Sequence, residues 1–446
     1  MVINNQNWQS VARPEEGNPH SEDSNYIEQL SLYYKQRLLK EANLDKLTQL
    51  PETQLRQKIE TAVNAMIAEE KRILSHGARK KLIKLILDES VGYGPLEPLL
   101  NDDNVTEIMV NNPNNVYVEK NGNIYLSEVR FKDHNHIRHI IDRIIAPIGR
   151  RIDESSPMVD GRLPDGSRIN AVIPPISLDG PAISIRKFNS DPFSMANLVS
   201  FGTLPNDIAT FLEAAVKAKL NLLISGGTGS GKTTFLNVLS SFIPAGERII
   251  TIEDMAELKL EHPNLVRLES RPPNMEGTGE IAIRQLVVNA LRMRPDRIIV
   301  GEVRSAEAMD MLQAMNTGHE GSLTTIHANS TVDALSRLEA MIVMHNESIS
   351  VEVVRKYILS AIDLIVQQER LSDGSRKVVA VSEINTSQNG EEINDIFNFK
   401  RTGVRPDGKV EGKFTYTGNT PSCLERIKAF GQKIPDILVE GEPCEL

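Results

Sequence analysis

The stretch Asn221-Leu222-Leu223-Ile224-Ser225-Gly226-Gly227-Thr228-Gly229-Ser230-Gly231-Lys232-Thr233-Thr234 sets a short apolar run directly before a glycine-rich loop. That order predicts a buried strand, a loop and the first turn of a helix. The glycines let backbone N–H groups turn inward toward phosphate oxygens, and the helix adds its positive N-terminal end. Residues Gly226, Gly227, Thr228, Gly229, Ser230, Gly231, Lys232, Thr233 and Thr234 therefore form the candidate nucleotide cradle. Lys232 is placed to reach the β- and γ-phosphates and Thr233 to ligate Mg²⁺. With glycine near roughly 7% of residues, chance produces such a pattern in only about one or two chains per hundred of this size. ATP and Mg²⁺ are the expected ligands.

Working outward, further strands are expected at Ile249–Ile252 and Ile298–Val300, with helical patterns such as Ile281–Leu291 between them. This is the signature of a buried parallel sheet flanked by helices. A phosphate loop needs an acidic strand end for Mg²⁺ and for water. The segment Ile298-Ile299-Val300-Gly301-Glu302 offers Glu302, with Gly301 where many such enzymes keep an aspartate. Glu253 and Asp254, closing the neighbouring strand, supply a second acid. Glu253 is assigned as the general base, and Thr233, Glu253 and Glu302 form the Mg²⁺ set, directly or through water. The polar segment Thr317–Ser330 contains His319 and His327; by residue type alone they divide evenly between structural and functional roles. Cations that absorb charge on the γ-phosphate are sought in Arg151, Arg162, Arg168 and Arg186.

The remaining chain organises around this unit. Residues 1–24 are rich in Asn, Gln, Glu, Pro and Ser and read as a disordered tail. Residues 25–90 carry apolar positions at helical spacing, such as Leu55, Ile59, Val63 and Ile67, and read as a helical bundle. From Gly92-Tyr93-Gly94-Pro95 the period changes, and residues 91–188 read as a mixed α/β domain with an Asn-Gly hairpin at 120–123. Residues 189–205 read as a linker, and 206–446 as the ATPase domain with a C-terminal subdomain. The fold class is α/β.

Composition bounds the partners. The 446 residues are 40% hydrophobic and only 4% aromatic, with a formal charge of -10. Acidity and scarce aromatics argue against nucleic-acid and anionic-lipid surfaces. Two cysteines without CxxC spacing suit a reducing compartment. The polar N-terminus lacks the order of a signal peptide, and no window approaches 18 consecutive apolar residues. A cytoplasmic location is expected, with membrane contact only through partners. His134, His136 and His139 lack companion ligands, and Met309, Met311 and Met315 read as core.

Four ordered motifs together go beyond a generic phosphate loop: Gly226–Thr234, Thr251-Ile252-Glu253-Asp254, Leu291–Arg297 with Gly301-Glu302-Val303-Arg304, and the histidine segment. Over residues 85–430 the chain resembles the type II/IV secretion ATPases, and looks most like the CpaF-type ATPases of Tad/Flp pilus systems. The resemblance implies a RecA-like ATPase domain and a homohexamer in which this domain and an N-terminal domain clasp ATP. In family terms Glu253 lies in the acidic box, Gly301-Glu302 is a variant Walker B motif, His319 and His327 lie in the histidine box, and the four arginines lie in stretches that reach nucleotide phosphates. An inner-membrane pilus platform protein is the implied partner. A traffic ATPase of a type IV secretion channel and a nucleotide-dependent scaffold with little turnover are the alternatives.

Overall fold

The computed structural model describes residues 24–41, 51–120, 122–188, 193–273, 278–346, 349–384 and 393–446. The tail expected over residues 1–24 lies, but for Ser24, outside them. The chain divides into two compact units, Met1–Asn189 and Ser190–Leu446.

The first unit begins with helices α1 (Ser24–Glu41), α2 (Glu52–Glu69) and α3 (His76–Ser90). Their apolar stripes meet in a core of Ile27, Leu30, Tyr34, Val63, Leu82 and Ile86. After the short turn α4 (Glu97–Leu100), an antiparallel sheet follows: β1 (Val105–Asn112), β2 (Asn115–Lys120), β3 (Asn123–Leu126), β4 (Met158–Arg162), β5 (Arg168–Val172) and β6 (Ala182–Arg186), in the spatial order β3-β2-β1-β6-β5-β4. The expected hairpin is the β2–β3 pair, in which Lys120 opposes Asn123. Helix α5 (His134–Ile145) is capped by Asp133, which accepts the His136 N–H at 2.8 Å. It covers one sheet face with Ile137, Ile140, Ile141, Ile144 and Ile145. Glu89 ties the bundle to this layer, accepting from Lys35 of α1 at 3.0 Å and facing His136 of α5 at 3.4 Å. Burial alone would raise the Glu89 carboxyl, but its interaction with His136 and the Lys35 charge reverse the sign and carry it down to about 2.

The second unit opens with α6 (Met195–Ser200), a helix inside the segment expected to be only a linker; its cap is the reciprocal Ser194–Asn197 box. Then come α7 (Asn206–Lys217), β7 (Leu222–Gly226), α8 (Lys232–Ser240), β8 (Ile249–Glu253), β9 (Leu265–Glu269), α9 (Ile283–Ala290), β10 (Arg297–Val303), α10 (Glu307–Asn316), β11 (Leu323–Ile326), α11 (Thr331–His345) and α12 (Val351–Ala361). The chain finishes with β12 (Leu364–Arg370), β13 (Arg376–Ile384), β14 (Ile393–Val404), β15 (Val410–Tyr416), the short helices α13 (Leu424–Ala429) and α14 (Asp436–Glu440), and β16 (Cys444–Glu445). All these strands join one sheet, ordered β16-β15-β14-β13-β12-β7-β11-β10-β8-β9. From β12 to β9 every pairing is parallel, and from β12 to β16 every pairing is antiparallel. The C-terminal strands thus extend the parallel sheet and do not form a separate layer. Two cores, one on each face, bury β7 and its neighbours. Met309, Met311 and Met315 pack in the second of these. Among the described residues no helix is long and apolar enough to cross a membrane.

One ionic contact fixes the N-terminal edge of the parallel strands. Arg297, at the start of β10 and fully buried, donates to both Glu247 oxygens, at 2.5 and 3.3 Å, and to the Gly321 carbonyl at 3.0 Å. Gly321 has φ +82°, and a Cβ there would stand 2.0 Å from the Arg297 guanidinium, so only glycine fits. Arg297→Ala leaves Glu247 without its buried partner; a loss of about 3–5 kcal/mol in urea unfolding is expected.

Candidate functional site

Strand β7 is buried along its whole length and delivers Gly226 to the C-terminal edge of the sheet. A Cβ at Gly226 would meet Ser230 Oγ at 2.5 Å and the Gln368 carbonyl at 2.6 Å, so the loop can fold this tightly only around hydrogen. Gly229 and Gly231 take φ of +70° and +96°, a region that glycine enters at little cost. Helix α8 starts at Lys232 with Gly231 as N-cap and no side-chain cap bond. Its first-turn N–H groups therefore lack a side-chain acceptor and suit an anion. Lys232 Nζ donates to the Gly227 carbonyl at 3.0 Å, folded across the loop, while Thr233 and Thr234 sit half-buried in the first turn.

The acids converge on the same edge. Glu253 ends β8 and is 3% exposed. Its Oε1 accepts the N–H groups of Glu257 and Leu258 at 2.8 and 3.0 Å, whereas Oε2 is buried without a hydrogen-bond partner. Burial pushes the Glu253 carboxyl up, and the two N–H donors offset this only partly. Strand β10 runs beside β8 with Val300 opposite Ile252, which brings Gly301 against Glu253. A Cβ at Gly301 would stand 2.9 Å from Glu253 Cγ. The glycine in place of the usual aspartate thus makes room for the longer acid on the neighbouring strand. Thr325 holds this strand end by donating to the Gly301 carbonyl at 2.7 Å. Glu302 is partly exposed and accepts from Arg304 at 2.6 Å, and the same guanidinium lies 3.5 Å from Asp254.

Strand β11 lies parallel between β7 and β10, so its C-terminal end carries His327 to the loop, where Nε2 is 3.3 Å from Thr228 Oγ1. Burial lowers the His327 pKa, and the Lys232 charge adds to the effect, so the ring is neutral at pH 7. His319 is not brought to the loop. It precedes β11 at the opposite edge, where its ring nitrogen is 3.3 Å from the Ala314 carbonyl and its own carbonyl accepts from Ser322 at 2.8 Å. Two histidines separated by a whole strand cannot share one edge of a parallel sheet.

In the first unit three of the four predicted arginines fall in one row. Arg162 opposes Arg168, and Arg168 opposes Arg186, across β4, β5 and β6, with Glu107 next to Arg186 on β1. Directly opposed side chains point to the same face of a sheet, and like charges so placed repel. Arg186 lies 3.8 Å from Glu107. Arg151 stands apart in the loop before β4, paired with Asp153.

Two further arginines border the loop and were not among the sequence candidates: Arg376 donates from Nε to the Gly229 carbonyl at 3.0 Å, and Arg370 Nη1 lies 3.4 Å from where a Gly229 Cβ would stand. The Ser372-Asp373-Gly374 turn signals a basic hairpin in the sequence, but only the β12–β7 pairing puts that hairpin beside the loop. Buried polar atoms without hydrogen-bond partners also lie along this edge: Ser225 Oγ, Ser230 Oγ and Gln368 Oε1 at the loop, and Glu253 Oε2 three strands away on β8. Such atoms are rare in native proteins and mark a place for a ligand, ion or water. Together with the cradle at Gly226, they fit a nucleotide phosphate with hydrated Mg²⁺.

A model of the family described as type II/IV secretion system protein matches residues 89–405. A putative conjugal transfer protein of Mycobacterium tuberculosis is 41% identical over 265 residues, covering 58% of this chain and 75% of its own length. The type IV secretion system protein VirB11 of Bartonella henselae is 33% identical over 326 residues, covering 64% of this chain and 90% of its own. Among solved structures, the VirB11 ATPase of the Brucella suis type IV secretion system aligns at 28% identity over 64% of this chain and 94% of its own, with a TM-score of 0.36.

Two substitutions test the geometry of the acid pair. Gly301→Asp forces Glu253 aside and lowers stability by about 1–3 kcal/mol in denaturant titration. A carboxyl whose folded pKa is raised holds its proton more tightly in the folded state, so its ionisation costs stability as pH rises from the ordinary Glu range through the raised value. Glu253→Gln removes that cost. Its melting midpoint is expected about 2 °C above wild type at pH 7, with the difference vanishing in acid.

Proposed function

Because the chain belongs to the type II/IV secretion system protein family, we propose that it is an ATP hydrolase working as the motor of a secretion or pilus machine. The observation that carries the reading is the buried, unpartnered Glu253 Oε2, which ends β8 at the same sheet edge as the phosphate loop, with β10 and β11 between.

In this reading the loop N–H groups and the α8 N-terminus bind the β- and γ-phosphates. Lys232 exchanges the Gly227 carbonyl for phosphate oxygen, since its ammonium gains more from an anion than from a neutral acceptor. Thr233 and Glu302 are the residues that would hold Mg²⁺, whose contribution when bound is to neutralise charge on the β- and γ-oxygens. Glu253 takes the proton of the attacking water on Oε2. Its raised pKa suits that task, because a base is most effective when its pKa approaches the working pH. Neutral His327, in contact with Thr228, is placed to report on the loop's ligand. The arginines of β4–β6 are the set proposed for the γ-phosphate charge, on the resemblance of their stretches to those that reach nucleotide phosphates in the family.

The finer reading is a homohexameric CpaF-type ATPase that drives assembly of a Tad/Flp pilus through an inner-membrane platform protein, acting from the cytoplasm without binding nucleic acid. The C-terminal segments Arg370–Gly374 and Val410–Phe414, similar to the pilus branch, favour it. The second reading, a traffic ATPase of a type IV secretion channel, is favoured by the names of the conjugal-transfer and VirB11 relatives. Gene disruption separates them: loss of surface pili supports the first, and loss of substrate transfer with pili intact supports the second.

Purified protein is expected to hydrolyse ATP only with Mg²⁺ and to migrate as a six-subunit species. Lys232→Ala, Glu302→Gln and Glu253→Gln should each cut kcat by about 10²-fold or more. The acid limb of the kcat profile should lie above the ordinary glutamate range. Wild-type turnover no faster than these variants would instead support a scaffold.

A further inference from the structure

The hairpin β12–β13 sits directly beside the phosphate loop. Strand β12 pairs with β7 so that Gln368 opposes Gly226, and the tip of the hairpin extends past this pair, closed by Arg370 opposite Arg376. Several bonds make the tip rigid. Asp373 accepts from the Ser375 N–H at 2.9 Å and hydroxyl at 2.6 Å, and its other oxygen accepts the Val410 N–H of β15 at 2.8 Å. Leu371 and Ser375 close the turn through a 2.8 Å backbone bond, and Arg401 of β14 pairs with Glu369.

From this fixed base, Arg376 Nε donates to the Gly229 carbonyl at 3.0 Å. The C=O and N–H of one peptide point in opposite directions. An arginine that holds the Gly229 oxygen therefore aims the Ser230 N–H away from itself, across the loop, where without ligand it donates weakly to the Gly227 carbonyl at 3.4 Å, the same oxygen that Lys232 holds. Four glycines make this loop intrinsically polymorphic, so the orientation of its peptides has to be imposed from outside. Arg376 Cδ also lies 3.3 Å from where a Gly231 Cβ would stand, and Arg370 covers Gly229 from the same side.

We propose that Arg376 is a positioning residue for nucleotide binding, one that acts through the Gly229 peptide and so pre-forms the anion cradle. This rests on the reading of the loop as a nucleotide site. Arg376 is solvent-exposed, so its replacement leaves the core intact. The cost appears when the ligand must order the loop itself, and it falls on ADP and ATP alike because both need the same peptides turned inward.

The test uses the full chain with a fluorescent ADP analogue for equilibrium binding, steady-state kinetics with ATP, and melting of the unliganded protein. For Arg376→Ala, ADP affinity is expected to fall about tenfold, as for loss of one charge-assisted hydrogen bond. KM should rise by a similar factor, and by more than kcat falls, with the unliganded melting midpoint matching wild type. Arg376→Lys should recover part of the affinity by restoring a donor and charge. Wild-type affinity in Arg376→Ala overturns the inference while leaving the nucleotide site standing. An affinity loss that follows a lowered melting midpoint overturns it in favour of general destabilisation. Failure of the wild type to bind the analogue removes both the inference and the reading beneath it.

Discussion

No side chain fits at residue 226. The last residue of β7 lies so close to the Gln368 carbonyl and Ser230 hydroxyl that a methyl group would stand within 2.6 Å of both. The tight turn this permits brings the start of α8 over the sheet edge, and it places β12 beside the loop. The parallel ladders on the other side then carry β11, β10 and β8 to the same level, so that His327, Gly301 and Glu253 end near one another. A shift of one residue in any of these registers would turn the functional side chain to the other face.

Electrostatics in this edge are arranged around one costly group. Glu253 is kept in an apolar setting that raises its pKa, with one oxygen satisfied by backbone donors and the other left open. The neighbouring acids are treated differently: Glu302 and Asp254 are more exposed and share Arg304. Two acid environments, one dry and one paired, are how a site assigns proton transfer to one carboxylate and charge balance to another. The buried carboxylate lowers stability, and the Arg297–Glu247 contact at the far edge of the same strands contributes in the other direction.

Much of this could be read from residue order. The glycine loop, the strand before it and the acids at 253 and 302 are local features whose chemistry survives without coordinates. The departure at Gly301 could be noticed but not explained, because its cause is a cross-strand contact with Glu253, 48 positions earlier in the chain. His319 and His327 looked equivalent since only the parallel register places them at opposite edges. Strand β9 and the antiparallel strands β13–β16 were not distinguished because their burial alternates with polar residues and depends on pairing partners far along the chain. Arg370 and Arg376 escaped for the same reason: nothing near them in sequence belongs to the phosphate loop. The helix at Met195–Ser200 was hidden in a segment whose composition reads as linker, although the Ser194–Asn197 cap is local.

The continuity of the ten-stranded sheet has a mechanical consequence. Antiparallel strands β13–β16 are bonded in series to β12, and β12 to the strand that bears the loop. A pull along the strand direction at the C-terminal edge loads each ladder in shear, where many hydrogen bonds share the force, and does not peel them one at a time. The sheet is therefore stiff along that axis, and strain produced at the loop can travel to the C-terminal strands, or be resisted there, without first melting a hinge. In the proposed motor reading, this makes the far edge of the sheet a place where force can be delivered.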